Sequence, residues 1–419
     1  MANVVVVGGG FAGLSAAVRL AKLRHHVTLI EQADTLGGEL RGVTRDGLEW
    51  QTHREAVTLP GVFRDLFRKS GRQLEQTIEF EQIAGRRHVF KDRLIFDLPM
   101  GNRGGQHDAL MSTFESDQWS PWVDSFTPVW DSLRRVALDK TLSSKNDFDS
   151  AQWRALRVRR SLARVAKRDF RQYYLRKIIL DPPRLEGHDV RLTPGFVAVT
   201  HHVERNFGLW RFPGGRPALA DALTTRLEER KVDVLFDTSA SGIRFTDGLA
   251  SGVETSGGVV PADIVIWCAP NNPTPLRPSP ELRLIPPSRT YVTLDSSAPE
   301  MADEIMIHSN PPIRMWTNRP GQWTIEHGRG EDPVLAMARC GLDLRDSIVN
   351  RWEQSPVELV RQCHWGWQWQ GTSTAFALPG VKPTGGVFFA GAHAHPGSSL
   401  ELIGMATAAI AEAVGSARA

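Results

Sequence analysis

The start of the chain alternates between two hydrophobic periods, which predicts a strand, a helix and a second strand. Residues 4–7 are four consecutive valines, as expected of a strand buried on both faces. Apolar residues recur at helical spacing through residues 14–23, and residues 27–30 form a second apolar run. This order of elements predicts a parallel βαβ unit.

The turn between the first strand and the helix has the spacing of a dinucleotide-binding loop. Gly8, Gly10 and Gly13 match the pattern G-x-G-x-x-G, which lets the backbone approach a pyrophosphate at a helix N-terminus. Phe11 and Ala12 lie between the last two of these glycines. We expect all five residues to contact a dinucleotide.

Glu31 follows the second strand, about twenty residues past the glycines, where the pattern places an acid on a ribose hydroxyl. An acidic rather than a basic residue favours an unphosphorylated adenosine ribose. The βαβ unit therefore predicts FAD or NAD rather than NADP.

Patterns further along the chain predict a second region rich in strands. Alternating apolar residues within residues 78–99 flank Lys91 and Asp92, which predicts a hairpin. A helix interrupted at Gly341 is expected over residues 334–352. Four further short strands are expected at residues 291–294, 304–307, 313–317 and 323–326.

Composition and motifs narrow the class of protein. The 419 residues are 41% hydrophobic with a net charge of +3, and the chain is long enough for two domains. Three widely spaced cysteines, Cys268, Cys340 and Cys363, form no metal pair and indicate a reducing compartment. No apolar run reaches membrane-spanning length, so we expect a cytoplasmic protein. G-x-S-x-G, Cys-x-x-Cys and H-E-x-x-H motifs are absent from the sequence, so nucleophile and metal chemistry are not indicated.

The glycine pair after the second strand resembles a motif of a known superfamily. Leu36-Gly37-Gly38-Glu39-Leu40-Arg41 is similar to the second glycine motif of the FAD-dependent amine oxidase and phytoene desaturase superfamily. That motif has Arg or Lys after the two glycines, whereas this chain has Glu39 there and Arg41 two residues later. The resemblance implies that Gly38, Glu39 and Arg41 lie against the cofactor.

The next segment resembles the phytoene desaturase-like branch most closely. Gly47, Trp50, Pro60 and a helix at residues 61–69 stand in the register of that branch. His53 and Gln51 replace the usual Gly and Asp of a turn that approaches the flavin ring in the family. His53 is therefore a candidate to face the ring, and a histidine in a surface loop is the alternative.

Two later segments resemble the parts of the family that return the chain to the flavin domain. Pro213-Gly214-Gly215 is similar to the family's Pro-x-Gly-Gly loop, and residues 259–270 resemble the strand that closes the nucleotide sheet. The position whose backbone reads adenine in the family falls on Ala240.

The stretch of residues 385–397 resembles the C-terminal flavin motif of phytoene desaturases. It combines a strand, Gly391-Ala392, and a turn at His395-Pro396-Gly397 before a helix at residues 402–414. The resemblance implies cofactor contacts from Gly391, Ala392 and His395, and it favours non-covalent FAD over NAD. His393 is a candidate base or proton donor, and a covalent flavin link through Cys363 is an alternative.

Residues from Arg154 to Lys177 carry ten basic side chains against the single acidic Asp169, with apolar residues at helical spacing. This predicts one basic amphipathic helix. Such a helix can lie on an anionic membrane, hold an acidic substrate or carrier, or pack on the core with a solvated basic face. Too few aromatic residues alternate with the basic ones to indicate nucleic-acid binding.

Trp365, Trp367 and Trp369 alternate with other residues, which predicts a strand with three indoles on one face. Such a face can wall an apolar or amine-bearing substrate, because indole offers both apolar area and an attractive π face. Core packing is the alternative.

The sequence thus predicts an α/β flavoprotein with two domains. A discontinuous Rossmann-like FAD-binding domain is expected at residues 1–75, 209–285 and 376–419. An inserted α+β substrate domain, built on a mixed or antiparallel sheet, is expected at residues 76–208 and 286–375.

The expected activity is FAD-dependent dehydrogenation or desaturation of a biosynthetic small molecule, which forms a C=C or C=N bond. An amine oxidase that produces hydrogen peroxide is one alternative, and a non-catalytic FAD-binding scaffold is another. Only His53 and His393 are candidate catalytic residues, and no metal site is expected.

Overall fold

A computed structural model describes residues 1–142, 144–156, 158–270, 284–362, 366–378, 380 and 383–417. Its strands are β1 (Asn3–Val7), β2 (His26–Ile30), β3 (Val43–Arg45), β4 (Leu48–Trp50), β5 (Glu81–Ile83), β6 (Gly85–Phe90), β7 (Ile95–Pro99), β8 (Leu209–Arg211), β9 (Asp233–Leu235), β10 (Ala240–Thr246), β11 (Leu249–Thr255), β12 (Gly258–Pro261), β13 (Ile264–Trp267), β14 (Ser288–Leu294), β15 (Glu304–His308), β16 (Ile313–Arg319), β17 (Gln322–His327), β18 (Ile348–Gln354) and β19 (Val387–Phe389). Its helices are α1 (Phe11–Lys22), α2 (Pro60–Ser70), α3 (Arg103–Phe114), α4 (Trp119–Asp124), α5 (Thr127–Leu133), α6 (Ser150–Ala155), α7 (Leu162–Asp169), α8 (Tyr173–Leu185), α9 (Val199–Phe207), α10 (Gly215–Glu229), α11 (Pro333–Arg339), α12 (Pro356–Arg361), α13 (Thr374–Ala377) and α14 (Leu400–Val414).

A five-stranded parallel sheet carries the dinucleotide loop. Its strand order is β19-β13-β1-β2-β9, so the valine strand β1 lies at the centre. Val4 and Val6 pack with α1, α10 and α14 on one face of this sheet. Val5 and Val7 pack on the other face, against the antiparallel sheet β10-β11-β12. Both faces of β1 are therefore buried, which explains its unbroken run of valine.

A seven-stranded sheet forms the second region, in the order β18-β14-β17-β16-β15-β6-β7. Its neighbouring strands are antiparallel except for the parallel pair of β6 and β15. The predicted fold class is confirmed: a Rossmann-like sheet accompanies an α+β region built on a mixed sheet. The exact domain boundaries stay predictions.

Helices cover both faces of the seven-stranded sheet. Phe90 and Phe96 pack with Trp119 and other residues of α3–α9 in the largest cluster of this region. On the opposite face, Val89 packs with the apolar side of α11, which includes Met337. The hairpin around Lys91 and Asp92 is confirmed as β6 and β7.

The prediction of one basic helix from Arg154 to Lys177 was wrong, because the structure divides this segment into α6, α7 and α8. Ser161 begins α7 by accepting a hydrogen bond from the backbone N–H of Arg164. Phe170 ends α7 in an extended conformation and buries its ring against Trp122. Helical spacing persists within α7, but the N-cap and the buried aromatic ring break the longer helix.

Two other predicted elements were also wrong. The second half of the helix expected at residues 334–352 is strand β18, because Gly341 follows the end of α11 with a φ of +96°. Trp352 in this strand stacks on Tyr291 of β14, with ring centroids 3.9 Å apart. Around Trp367 and Trp369 the described residues 366–370 form no named strand. Trp365 lies outside the described residues, and no helix of the described chain is long and apolar enough to cross a membrane.

Candidate functional site

The dinucleotide loop joins β1 to α1 with the geometry that its glycines require. Gly8 has a φ of +99°, which side-chain-bearing residues rarely adopt. A Cβ atom on Gly13 would lie 1.8 Å from the carbonyl oxygen of Gly8, so α1 can approach the loop only without one. At Gly10 a Cβ atom would meet nothing within 4 Å, because this part of the loop faces an open cavity.

Glu31 lies at the end of β2 and ties the loop to its neighbours. Its Oε2 accepts a hydrogen bond of 2.6 Å from the backbone N–H of Gly9, and its Oε1 accepts one of 2.9 Å from Ala33. The second glycine motif lies alongside, where the N–H of Gly37 donates to the carbonyl of Gly9. The two glycine motifs and Glu31 therefore form one wall.

A cavity of about 1290 Å³ begins at this wall and continues into the second region. It is lined by most of the predicted cofactor, catalytic and substrate residues. These are Gly8, Gly10, Phe11, Ala12, Glu31, Gly38, Glu39, His53, Ala240, Trp367, Trp369, Gly391, Ala392, His393 and His395. Five chain segments that are far apart in sequence thus meet around one space.

Two of the predicted cofactor residues do not line the cavity. Gly13 lies inside α1 and packs on the loop. Arg41 forms an ion pair of 2.5 Å with Asp221 of α10, and its Nε donates to the carbonyl of Leu36. Arg41, which was expected to replace the family's Arg or Lys, therefore pairs with Asp221 outside the cavity lining.

The histidines of the cavity differ in their surroundings. His53 lies 3.3 Å from Glu39, measured from Nε2 to Oε2, so the two departures from the family pattern contact each other. Burial lowers the pKa of both His393 and His395 to about 4. Both imidazoles are therefore neutral near pH 7 and cannot donate a proton as imidazolium.

The N-terminus of α14 also faces the cavity. Ser399 caps this helix, and Glu401 in its first turn accepts hydrogen bonds from Thr58, from the backbone N–H at 2.8 Å and from Oγ1 at 2.6 Å. A carboxylate is stabilised at a helix N-terminus by the helix dipole. Sequence reasoning assigned the helix to the cofactor but did not identify Glu401.

The sequence also did not identify Arg216, which lines the cavity, or Glu55, whose carboxyl group lies near it. Arg216 follows the Gly214-Gly215 pair at the start of α10 and lines the cavity. Burial raises the pKa of Glu55 to about 7, and Arg216 is the largest of the nearby charges that oppose this rise. The adjacency of Arg216 to a predicted motif was the only sequence signal.

Much of the cavity wall that the second region contributes is apolar and aromatic. This part of the wall includes Trp130, Leu138, Phe148, Trp153, Ile179, Phe196, Trp367, Trp369 and Phe376. Trp367 and Trp369 meet edge to face, with ring centroids 4.7 Å apart. These two indoles reach the cavity from an irregular segment rather than from a strand.

Another part of the cavity wall is charged. Arg86 pairs with Glu204 at 2.8 Å and with Glu304 at 2.5 Å, measured between nitrogen and oxygen. Arg314 pairs with Glu186 at 2.8 Å, while Arg54 and Arg289 complete the set with weaker pairs. Burial alone would raise the pKa of Glu204, but the Arg86 guanidinium and His201 outweigh it and lower the pKa. The charges on this side are balanced by ion pairs.

Metal and thiol chemistry find no support in the residues that the structure describes. In that part of the chain no group of three or more His, Cys, Asp or Glu side chains can hold a metal ion. Cys268 lines the cavity, but burial raises the pKa of its thiol, which keeps it protonated. Cys363, the candidate for covalent flavin attachment, lies outside the described residues.

Known proteins resemble this chain in sequence and in fold. Residues 6–68 match the model of the NAD(P)-binding Rossmann-like domain family. A 4,4'-diapolycopene oxygenase from Methylomonas sp is 27% identical over 286 residues, and a 4,4'-diaponeurosporene oxygenase from Staphylococcus aureus (strain bovine RF122 / ET3-1) is 24% identical over 280 residues. Each match covers 63% of this chain, which spans only 55% of the length of each relative.

A solved structure of a putrescine oxidase triple mutant, from a redesign of cofactor binding, has the same fold. It aligns with a TM-score of 0.69 and 15% sequence identity, over 99% of this chain and 98% of that one. The family model and the sequence relatives confirm the resemblance that the glycine motifs indicated, and the solved structure confirms the fold.

Proposed function

We propose that this chain, which has the fold and the glycine motifs of the FAD-dependent amine oxidase and phytoene desaturase-like superfamily, is an FAD-dependent oxidoreductase. It removes a hydride and a proton from a biosynthetic small molecule and so forms a C=C or C=N bond. The sequence relatives are oxygenases of diapolycopene and diaponeurosporene, and the structural neighbour is an oxidase of putrescine.

The residues around the loop fit FAD as a non-covalent cofactor. Gly10 leaves open space for a pyrophosphate at the N-terminus of α1, and Glu31 lies where a ribose hydroxyl is expected. Ala240 and Gly391 line the same space from the return segments. When bound, FAD supplies a hydride acceptor, while the protein contributes binding, orientation and exclusion of water.

One observation carries the proposal: the dinucleotide loop and the aromatic pocket open into a single cavity of about 1290 Å³. A protein that only binds a dinucleotide does not need an enclosed space beyond it. Ligand pockets that combine apolar walls with a few polar groups are the usual form of a substrate site. Because burial keeps His393 and His395 neutral, they can orient a substrate there by hydrogen bonding, whereas burial disfavours their protonation.

The charged side of the cavity favours the amine oxidase alternative. A fully apolar polyene lying against Arg86, Glu204 and Arg314 would remove the remaining solvent from these groups without replacing any hydrogen bond. A substrate with an amine or another polar end would satisfy them. The wall formed by Trp367 and Trp369 accepts either kind of substrate.

Contacts with a membrane or an acidic carrier are a further proposal. The basic side chains Arg164, Lys167 and Arg171 are exposed on and beside α7. Salt-dependent binding to anionic vesicles would support this contact. The cytoplasmic location stays a prediction from the sequence.

Anaerobic flavin absorbance of the purified protein tests the proposal, with titration by a panel of apolar polyenes and a panel of amines. Bleaching by either panel supports an oxidoreductase and identifies the class of substrate. Bound flavin that neither panel reduces would favour the non-catalytic scaffold. A colourless protein that takes up no flavin on reconstitution would refute the proposal.

A further inference from the structure

Arg216 is a cation in the cavity wall that has no carboxylate within ion-pairing distance among the described residues. Its guanidinium donates a hydrogen bond to the carbonyl of Arg54, and its Nε is buried without a hydrogen-bond partner. Within the described chain it makes no ion pair. The other arginines of this wall, Arg54, Arg86, Arg289 and Arg314, each have a glutamate partner.

Arg216 is half-buried and its Nε is shielded from solvent, and the desolvation of its charge is not repaid by an ion pair. Burial lowers the pKa of Arg216 to about 10, and the nearby Glu401, Glu39 and Glu55 offset only part of this effect. The protein thus keeps a cation at a position where the folded chain alone does not stabilise it. An anionic ligand at this position would provide the missing partner.

We propose that Arg216 binds the anionic part of the dinucleotide cofactor. The residues whose charges act on it locate it in the cavity: Glu39 belongs to the second glycine motif, and Glu401 to the first turn of α14. Both elements line the same cavity as the dinucleotide loop. Arg216 thereby provides the positive charge that position 39 lacks.

Arg41 does not have this role. It is close to Glu39 in sequence, but its guanidinium is satisfied by Asp221 at 2.5 Å and by the carbonyl of Leu36 at 2.7 Å. It also lies outside the cavity lining. Arg41 is therefore a matched control, since it is also an arginine beside the glycine motif but its charge is already paired.

The inference rests on the proposed flavin function, and binding of FAD to the apoprotein tests it. Dissociation constants for FAD and riboflavin would be measured by flavin fluorescence with the wild type, R216Q, R216K and R41Q. We expect R216Q to weaken FAD binding by about ten- to a hundredfold, because one charge-assisted hydrogen-bonded contact is lost. R216K should recover part of the loss, and R41Q should bind FAD like the wild type.

Thermal unfolding of the apoproteins separates ligand binding from a structural role. Removal of an unpaired buried charge should leave the apo R216Q melting temperature equal to or above that of the wild type. A loss confined to FAD supports the inference, because riboflavin lacks the diphosphate. An equal loss for riboflavin overturns it, because the lost contact would then not involve the anionic part of the cofactor.

Four further outcomes would count against it. Unchanged FAD binding by R216Q overturns the inference alone, provided that the wild type binds FAD. An equal loss in R41Q, or a loss that accompanies a lower apo melting temperature, shows a structural effect instead. A wild-type protein that binds no flavin overturns the proposed function together with the inference.

Discussion

Arg86 is the residue whose loss should destabilise the fold most clearly. It extends from β6 and forms buried ion pairs with Glu204 of α9, at 2.8 Å, and with Glu304 of β15, at 2.5 Å. Replacement by methionine keeps most of the side-chain volume but leaves the buried Glu204 without its main cation and leaves Glu304 paired only with Arg54. Breaking a buried pair from one side costs about 3–5 kcal/mol of unfolding free energy.

We expect a cost for R86M at the lower end of that range, about 3 kcal/mol, because Arg86 and Glu204 also line the cavity and regain some solvent there. The matched control is R87M on the same strand. Arg87 pairs with the exposed Asp97 at 2.8 Å, and exposed pairs contribute about 0–1 kcal/mol. Urea unfolding of the apoproteins, followed by tryptophan fluorescence, measures both values.

The pH dependence of the R86M effect gives a second check. In the wild type the pKa of Glu204 is lowered below its ordinary value of 4.5. Its ionised carboxylate therefore stabilises the fold above pH 4.5, and this contribution is lost as the pH falls toward the pKa of the folded state. In R86M burial should raise this pKa instead, so the variant loses stability as the pH rises. The gap between wild type and R86M should therefore narrow as the pH falls from about 7 to about 4.5. A gap that is independent of pH, or no larger for R86M than for R87M, would refute the reasoning.

Two further substitutions test the cofactor end. G13A should abolish FAD binding and lower the melting temperature, because its Cβ would lie 1.8 Å from the carbonyl oxygen of Gly8. The control G61A, where a Cβ meets nothing within 4 Å, should have neither effect. A G13A protein that binds FAD as tightly as the wild type would contradict this geometry. The pKa of Glu55 is raised from 4.5 to about 7, so wild-type stability should fall as the pH rises through this window, whereas E55Q should not show the fall. The difference in unfolding free energy between E55Q and the wild type should reach about 2–3 kcal/mol above pH 7, as measured by urea unfolding at a series of pH values. Unfolding free energies that change in parallel with pH in both proteins would contradict the prediction.

The parts of the fold that the sequence predicts well are local in the chain. The βαβ unit depends on residues that are neighbours in sequence, and its valine strand and Gly8 turn have the structures that their composition requires. The basic segment shows the limit of this reasoning, since α7 keeps the predicted spacing but Phe170 ends it. The ring of Phe170 packs against Trp122, and the local sequence pattern does not predict a contact between residues this far apart in the chain.

The candidate site divides in the same way. Glycine motifs predicted the cofactor wall, and Trp367 and Trp369 reach the cavity although the strand expected to carry them does not exist. The charged side was not predicted, because its ion pairs join distant residues such as Arg86 and Glu204. Spacing along the chain carries no information on which of the fifty basic side chains finds a buried acid.

Charge balance at the cofactor end constrains how a dinucleotide can bind. Glu31, Glu39 and Glu401 line this end, and a diphosphate adds charge of the same sign. The N-termini of α1 and α14 offset this with partial charges of about half a unit each, and these fall off within one turn. Among the described lining residues Arg216 is the full positive charge that no carboxylate already pairs. Because a full charge acts more strongly than the partial charge of a helix N-terminus, dinucleotide affinity should depend on this guanidinium more than on either helix N-terminus.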